Sequence, residues 1–139
     1  MASVMAPQAE AQPAEAQASP VKVQASRSGA QVGRPAGAVM PMAAKYCVNN
    51  NHGAKACFQP YGDKVWVKDT RKDGYSAAAE TKYSYSRGPD VCINKHGKGT
   101  WVVCNYNMRE GRRVTLWSVD LNLPTNAYHY WSTGRTLVI

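Results

Sequence analysis

The spacing of four cysteines is the feature that most constrains how this chain can fold. Cys47 and Cys57 enclose the segment VNNNHGAKA, and Cys92 and Cys104 enclose INKHGKGTWVV. In each segment a β-branched residue follows the first cysteine, a polar turn containing glycine comes next, and the second cysteine closes the return. This order is typical of a β-hairpin stapled by a cystine. The sequence therefore predicts the disulfides Cys47–Cys57 and Cys92–Cys104, each within its own hairpin.

The midpoints of the two enclosed segments predict the turns. If the cysteines of each pair face each other across antiparallel strands, the turns are the three-residue loops Asn51-His52-Gly53 and Gly97-Lys98-Gly99. Such a loop places its third residue in the left-handed region, where glycine meets no steric penalty. Each closed loop is short, so each bridge is expected to contribute about 3 kcal/mol by constraining the unfolded chain.

Composition divides the chain into two parts. Residues 1–44 contain no aromatic side chain and consist mainly of Ala, Pro, Gln, Ser and Gly, so they cannot bury enough surface to offset the entropy of ordering. Residues 45–139 contain all four Trp, all eight Tyr, the one Phe and all four Cys. We therefore predict a disordered leader or linker over 1–44 and one small domain over 45–139.

Cysteine content and the first residues bear on the compartment. Four cysteines in so small a domain favour an oxidising environment, and therefore secretion. Residues 1–20 hold no Lys or Arg and no apolar run of seven residues, so they do not form a complete signal peptide. Ala9-Glu10-Ala11 and Ala14-Glu15-Ala16 resemble signal peptidase sites, and we predict that the chain begins inside a signal peptide. No segment has the length to span a membrane.

The domain consists of short segments with strand patterning. From Lys64 to Lys68 polar and apolar residues alternate, which places Val65 and Val67 on the inner face and Trp66 on the outer one. About eight such segments alternate with glycine-containing turns, and none has convincing helical periodicity. The pattern predicts an all-β fold, a single small antiparallel β-sandwich or barrel of about eight strands, stapled by the disulfides.

Two later segments have the same period of two. In the longest predicted strand Trp117 shares a face with three aliphatic residues, and we expect that face to be buried in the core. After the second hairpin turn, Asn105 and Asn107 fall on the same face as Trp101. The aliphatic partners of Trp117 are Val119, Leu121 and Leu123.

The four cysteines and one segment with two aspartates are the candidate metal ligands by residue type. Structural zinc sites use cysteines two to four residues apart, whereas these pairs are separated by nine and eleven residues, so no metal site or cofactor is predicted. Asp69–Glu80 matches a calcium loop at its first, fifth, sixth and twelfth positions, but Arg71 stands at a ligand position and strand-like segments flank it. We expect a plain hairpin turn at Asp73-Gly74.

No catalytic signature is present, so no catalytic residue is predicted. His52 and His96 are expected in turns, and His129 on a strand between two tyrosines. A hydrolase would need Glu80 or Glu110 close to His129 and to an arginine. A small hydrolase is the third of three functional hypotheses, after a binding module and a toxin or enzyme inhibitor.

Eight residues are candidate ligand contacts. Flat aromatic rings beside amides on a rigid sheet stack against sugars or anchor proteins, but two-layer folds commonly bury such rings under loops, and both alternatives stay open. Basic turns that gather at one end of the sandwich would form an anion-attracting surface. The candidates are Trp66, Trp101, Asn105, Asn107, Lys98, Arg109, Arg112 and Arg113.

The segments KYCVN, ACF, GDKVWVKDT and CxxxxGxGxWxxCNYNMREG resemble small uncharacterised secreted proteins of actinomycetes. The resemblance covers roughly the last two thirds of the chain and implies secretion and a cystine-bearing β-fold. It implies no particular activity.

The positive net charge of the domain favours anionic partners in general but selects no particular one. Residues 45–139 carry 14 of the 17 basic residues and seven of the nine acidic ones, a net charge of +7. We predict a secreted, non-enzymatic binding module for an anionic cell-wall polymer, a glycan-rich surface or an extracellular protein, with no specific nucleic acid partner. The alternative is a secreted toxin or enzyme inhibitor that presents the Gly97-Lys98-Gly99 loop.

Overall fold

The computed structural model describes residues 30–38 and 46–139, which form eleven β-strands and no helix. The all-β prediction is confirmed. The number of strands exceeds the expected eight, since it includes short edge strands of two to four residues. The strands are β1 (Ala30–Val32), β2 (Arg34–Pro35), β3 (Tyr46–Asn49), β4 (Ala54–Gln59), β5 (Lys64–Asp69), β6 (Ser76–Tyr83), β7 (Asp90–Asn94), β8 (Trp101–Asn105), β9 (Arg113–Asn122), β10 (Ala127–His129) and β11 (Arg135–Val138).

The strands form two sheets that pack as a sandwich. Sheet A has the order β1-β7-β6-β9-β10, and β11 also pairs with β9. Sheet B has the order β2-β8-β5-β4-β3. Every pairing is antiparallel except the parallel pair β1–β7. The predicted antiparallel sandwich is therefore confirmed.

The main core lies between the two sheets. Val65 and Val67 are fully buried there, as the alternation of β5 predicted. Val114 and Leu116 of β9 enter the same core from sheet A. Removal of this much aliphatic surface from water is the main force that holds the sheets together. Other large members of the core are Phe58, Val102, Tyr106 and Met108.

Both predicted cysteine pairings are present, but only the first lies within a hairpin. Cys47 and Cys57 are direct partners across β3 and β4. Cys92 lies on β7 of sheet A and Cys104 on β8 of sheet B, so their bridge joins the two sheets through the core. The predicted hairpin with the loop Gly97-Lys98-Gly99 is wrong. The spacing of two cysteines in the sequence fits a bridge within a hairpin and a bridge between two sheets equally well. A disulfide requires only that the two Cα atoms lie close together, and here they are 5.9 Å apart.

The segment 30–38 belongs to the sandwich, although its composition placed it in the disordered leader. The amide of Gly33 donates a hydrogen bond to the carbonyl of Ile93 at 2.8 Å. A Cβ at Gly33 would lie 2.3 Å from Val102 Cγ2, so only glycine fits where the chain passes from sheet A to sheet B. Backbone pairing to an edge strand needs no aromatic side chain, which is why composition misplaced this boundary. The rest of the predicted leader lies outside the described residues.

The buried face of β9 that holds Val119 and Leu121 lies on the outer side of sheet A, not in the core between the sheets. Tyr128 and Trp131 cover it. Trp117, expected in the core, is only half-buried and packs edge-to-face on Trp131, with ring centroids 6.3 Å apart. The pattern identified a buried face but not which side of the sheet it lies on.

The strand registers place the connecting loops at opposite ends of the sandwich. Residues 50–53, 70–75, 95–100 and 123–126 lie at one end, which we name the His52 end. Residues 60–63, 84–89 and 106–112 lie at the other, the Arg112 end. Side chains far apart in sequence meet at both ends.

Candidate functional site

The two candidate tryptophans are buried. Trp66 is 8% exposed and Trp101 is 5% exposed, and both pack with Val103 on the outer face of sheet B. The indole of Trp66 donates a hydrogen bond to Gln59 Oε1 at 3.0 Å. Of the two alternatives, burial is therefore confirmed, and these rings offer no stacking surface to a sugar.

The polar candidates fall at both ends. Asn105 and Asn107 are exposed at the Arg112 end, where the backbone carbonyl of Asn107 accepts a hydrogen bond from Arg87 Nη1. Lys98 is exposed at the opposite end, in the segment that crosses between the sheets. The structure therefore separates Lys98 from the other polar candidates. The inhibitor alternative, which used this loop as a hairpin tip, stays a prediction.

Two of the predicted arginines lie over the ring of one tyrosine, and a third follows them at the start of β9. The guanidinium carbons of Arg109 and Arg112 lie 5.1 and 5.6 Å from the ring centroid of Tyr85. The Arg109 amide donates a hydrogen bond to the Tyr85 hydroxyl at 2.9 Å, and the Arg113 amide donates one to Ser84 Oγ at 2.9 Å. We name Tyr85, Arg109, Arg112 and Arg113 the arginine surface.

The charges of the arginine surface are not neutralised by neighbouring carboxylates. Arg109 and Arg113 are exposed and Arg112 is half-buried. In residues 30–38 and 46–139, the only arginine that forms an ion pair with a carboxylate is Arg87, which contacts Asp90 at 2.8 Å. The arginine surface thus carries positive charge without an ion-paired carboxylate in the described residues. The other predicted basic residues do not join it, because Arg71, Lys72, Lys95 and Lys98 lie at the His52 end.

A second group of reactive side chains lies at the His52 end. His52 Nδ1 is 2.6 Å from Asp120 Oδ2 and 3.6 Å from Asp73 Oδ2. These ligand atoms all lie within 4.8 Å of one another. The side chain of Asp120 is 1% exposed, that of Asp73 14% and that of His52 26%. We name these three residues the His52 cluster.

Asn50 holds the His52 cluster in place. Its Oδ1 accepts hydrogen bonds from the amides of His52, Gly53 and Ala54 at 2.9 to 3.0 Å, which caps the turn. Its Nδ2 donates to Asp120 Oδ1 at 2.8 Å. One side chain therefore fixes both the loop that carries the imidazole and the carboxylate that binds it.

The predicted loop Asn51-His52-Gly53 is present, but glycine is required for a different reason. The left-handed residue is Asn51, with φ of 58°, and not Gly53. A Cβ at Gly53 would lie 2.9 Å from Asp73 Oδ2 and 3.2 Å from both carboxylate oxygens of Asp120. Glycine is needed here because the backbone passes directly against two carboxylates.

Aromatic rings surround the imidazole. The ring of Tyr130 stacks on that of His52 with centroids 3.7 Å apart and an interplanar angle of 13°. Tyr130 has a φ of 61°, a backbone conformation that costs an aromatic residue energy. Tyr75 contacts His129, with ring centroids 5.1 Å apart. His129, which lies between two tyrosines in the sequence, therefore also contacts a tyrosine from the β5–β6 segment.

Burial changes the ionisation of two carboxyl groups at this end. Burial raises the pKa of Asp120 above 3.8, although its hydrogen bonds with Asn50 and His52 oppose the change. Burial also raises the pKa of Asp69, and the negative charges of Asp73 and Asp120 add to that effect. Both groups therefore favour their protonated form more in the folded chain than in the unfolded one.

This shift predicts a pH dependence of stability. Because the folded protein holds the Asp69 proton more tightly than the unfolded chain, its contribution to the free energy of unfolding falls as the pH rises from 3.8 through the folded pKa. Asp69→Asn keeps an oxygen for the Arg71 amide and removes the ionisation. We expect the stability of this variant relative to the wild type to increase with pH across that range. Urea unfolding in EDTA at several pH values measures it, and a pH-independent difference would contradict it.

Sequence reasoning placed His52 in a turn but missed its partners. Asp73 was placed in a hairpin turn, whereas the segment 70–75 crosses from sheet B to sheet A. Strands flank it, as the argument against a calcium-binding helix-loop-helix expected. Asp120 lies among the buried residues of β9, and a buried carboxylate needs a hydrogen-bond or ion-pair partner. That need was the one sequence signal for this cluster.

The arrangement needed for a hydrolase differs from the one observed. Glu110 lies at the Arg112 end, whereas His129 pairs with Asp120 near the other. Glu80 pairs with Trp117, three positions along β9 from Asp120. An imidazole does meet carboxylates, but through His52, and no arginine forms an ion pair with those carboxylates in the described residues.

Comparison with known proteins finds no relative: no family model matches the chain, and no curated protein or solved structure matches it significantly. The resemblance to actinomycete secreted proteins therefore stays a prediction. Within residues 30–38 and 46–139, no helix is present that could cross a membrane. Evidence for function comes from the two ends of the sandwich.

Proposed function

We propose that this protein is a secreted, non-enzymatic binding module that attaches to an anionic polymer of an extracellular surface through its arginine surface. One observation carries the proposal: Arg109 and Arg112 lie over the ring of Tyr85, Arg113 follows them in the chain, and none of the three forms an ion pair with a carboxylate within residues 30–38 and 46–139. Two disulfides fit an oxidising compartment.

Guanidinium groups suit such a ligand. Each presents a planar fork of donors that matches the oxygens of a phosphate or carboxylate and stays charged at all physiological pH values. Stacking of Arg109 and Arg112 on Tyr85 restricts their side chains before a ligand arrives. Binding then loses less conformational entropy than it would with free lysine side chains.

The arginine surface is held on a well-anchored part of the fold. The amide of Met108 donates to Asp63 Oδ2 at 3.0 Å, which ties the turn 106–112 to the β4–β5 loop. The Ile139 amide donates to the Arg112 carbonyl at 2.8 Å, so the last residue also holds this turn. These contacts fix the backbone of the turn that carries the arginines.

Retention on dextran sulfate tests the proposal. We expect the variant Arg109→Gln/Arg112→Gln/Arg113→Gln to bind about tenfold more weakly, because three charge contacts of about 0.5 kcal/mol each sum to about 1.5 kcal/mol and tenfold corresponds to about 1.4 kcal/mol. Wild-type binding should weaken as salt is added, since exposed charges are screened. The measurement is the dissociation constant at two salt concentrations, with folding checked by circular dichroism.

A matched control removes the same charge from the other end. Arg71→Gln/Lys72→Gln/Lys98→Gln also lowers the net charge by three, but it changes only exposed residues at the His52 end. We expect this variant to keep most of the affinity. Equal losses in both triple variants would mean that net charge alone drives binding, and would reject the arginine surface as the site.

A further inference from the structure

The His52 cluster joins three segments that are remote in sequence. His52 comes from the β3–β4 loop, Asp73 from the β5–β6 segment and Asp120 from β9. An imidazole nitrogen and two carboxylate oxygens converge there, a donor set that divalent first-row metals accept. The spacing of the cysteines argues against zinc there, but it places no limit on these three residues.

One carboxylate oxygen of the His52 cluster has no hydrogen-bond partner. Asp73 Oδ2 is buried and has no hydrogen-bond partner, although it points toward the imidazole. A buried carboxylate oxygen without a partner costs free energy, and a cation at this point would remove that cost. In the described residues no lysine or arginine forms an ion pair with Asp69, Asp73 or Asp120. The unpartnered oxygen and the lack of a lysine or arginine partner are thus two separate observations that favour a cation at this point.

We propose that His52 Nδ1, Asp73 Oδ2 and Asp120 Oδ2 bind a divalent transition-metal ion, and that this ion is Zn²⁺. The site is independent of the arginine surface, which lies at the opposite end of the sandwich. The mixed nitrogen and oxygen donors disfavour Ca²⁺ and Mg²⁺, which select oxygen ligands.

The distances allow an ion with small movements. A tetrahedral zinc ion with bonds of about 2.0–2.1 Å holds its ligand atoms about 3.3 Å apart. The present distances from the imidazole nitrogen are 2.6 Å to Asp120 and 3.6 Å to Asp73. The ion takes the place of the proton in the His52–Asp120 hydrogen bond, and that proton passes to solvent as the metal binds. The fourth position is left for water or an external ligand.

The surroundings orient the proposed ligands. Asn50 binds Asp120 Oδ1, which leaves Oδ2 for the ion, and the Tyr130 ring fixes the plane of the imidazole. Second-shell contacts of this kind raise metal affinity about 10–100-fold. Gly53 lets the backbone approach both carboxylates, because any larger residue would place a Cβ against them.

Titration of the tag-free, EDTA-treated full chain with ZnCl₂ tests the site. Isothermal calorimetry should give one bound ion per chain and a rise in thermal midpoint on binding. Bound Co²⁺ should give visible d–d absorption, a readout that does not depend on stability. We expect Asp73→Asn to weaken Zn²⁺ binding by more than about tenfold, because loss of a ligand exceeds the effect of losing a second-shell contact.

A matched control is His96→Gln, which removes an exposed histidine from another loop at the same end. Zn²⁺ binding should be unchanged in this variant. The proposal is overturned if the wild type binds no Zn²⁺, if Asp73→Asn binds it as tightly as the wild type, or if His96→Gln abolishes binding. Asp73 lies in a loop and is partly exposed, so we expect Asp73→Asn to fold, and circular dichroism checks this.

Discussion

Replacement of both Cys92 and Cys104 by alanine is expected to lower the free energy of unfolding by about 3 kcal/mol or more. The bridge closes a loop with a sequence separation of 12, and removing a native disulfide from a small domain typically costs about 2–5 kcal/mol. The two sulfurs also fill space between the sheets, where Cys92 is 1% and Cys104 0% exposed, so their loss leaves a cavity. Urea unfolding under non-reducing conditions measures the change.

The other disulfide provides the control. Cys47→Ala/Cys57→Ala opens a similar loop, but it lies in a hairpin that backbone hydrogen bonds already hold, and Cys47 is only half-buried on edge strand β3. We expect this variant to lose less stability than Cys92→Ala/Cys104→Ala. An equal or larger loss at the hairpin would contradict the assignment of Cys92–Cys104 as the bridge that joins the sheets.

Phe58→Ala is expected to cost about 3–5 kcal/mol of unfolding free energy. Phe58 is fully buried on β4, where it faces the core between the sheets. Truncation removes apolar contact from both sheets and leaves a cavity that rigid strands cannot fill by collapse. The midpoint and slope of urea unfolding separate this loss of stability from a change in the unfolded state.

An exposed aromatic residue gives the matched comparison for Phe58. Tyr61 is 86% exposed in the β4–β5 loop, three residues further along the chain, so Tyr61→Ala should change stability by no more than about 0.5 kcal/mol. If the two variants lose similar stability, Phe58 does not hold the position in the core described above.

The alternation of residues along a strand predicted which side chains share a face. In β5, alternation placed Val65 and Val67 inward correctly, because side chains of a strand point to opposite faces with a period of two. The same rule failed to place Trp117, since both faces of sheet A are covered and a buried face is not necessarily the core face. Periodicity identifies faces, and packing decides what covers them.

The candidate sites were predictable only in part. The basic turn of Arg109, Arg112 and Arg113 was identified from the sequence, but the contact of Arg109 and Arg112 with Tyr85 depends on pairing of β6 with β9. The His52 cluster was not predicted, because His52 and Asp120, whose side chains are in direct contact, are separated by 68 residues in the sequence. No local pattern reports contacts of that range.

The amino-acid sequence by itself determined the strand-forming segments, the cysteine partners and the excess of positive charge, since these follow from local periodicity, short-range chain closure and composition. Tertiary structure alone decided that Cys92 and Cys104 join two sheets, that residues 30–38 complete both sheets, and that His52 meets two aspartates. The physical reason is that each β-strand exposes two edges and two faces, and which of them are covered depends on long-range pairing that individual segments do not encode.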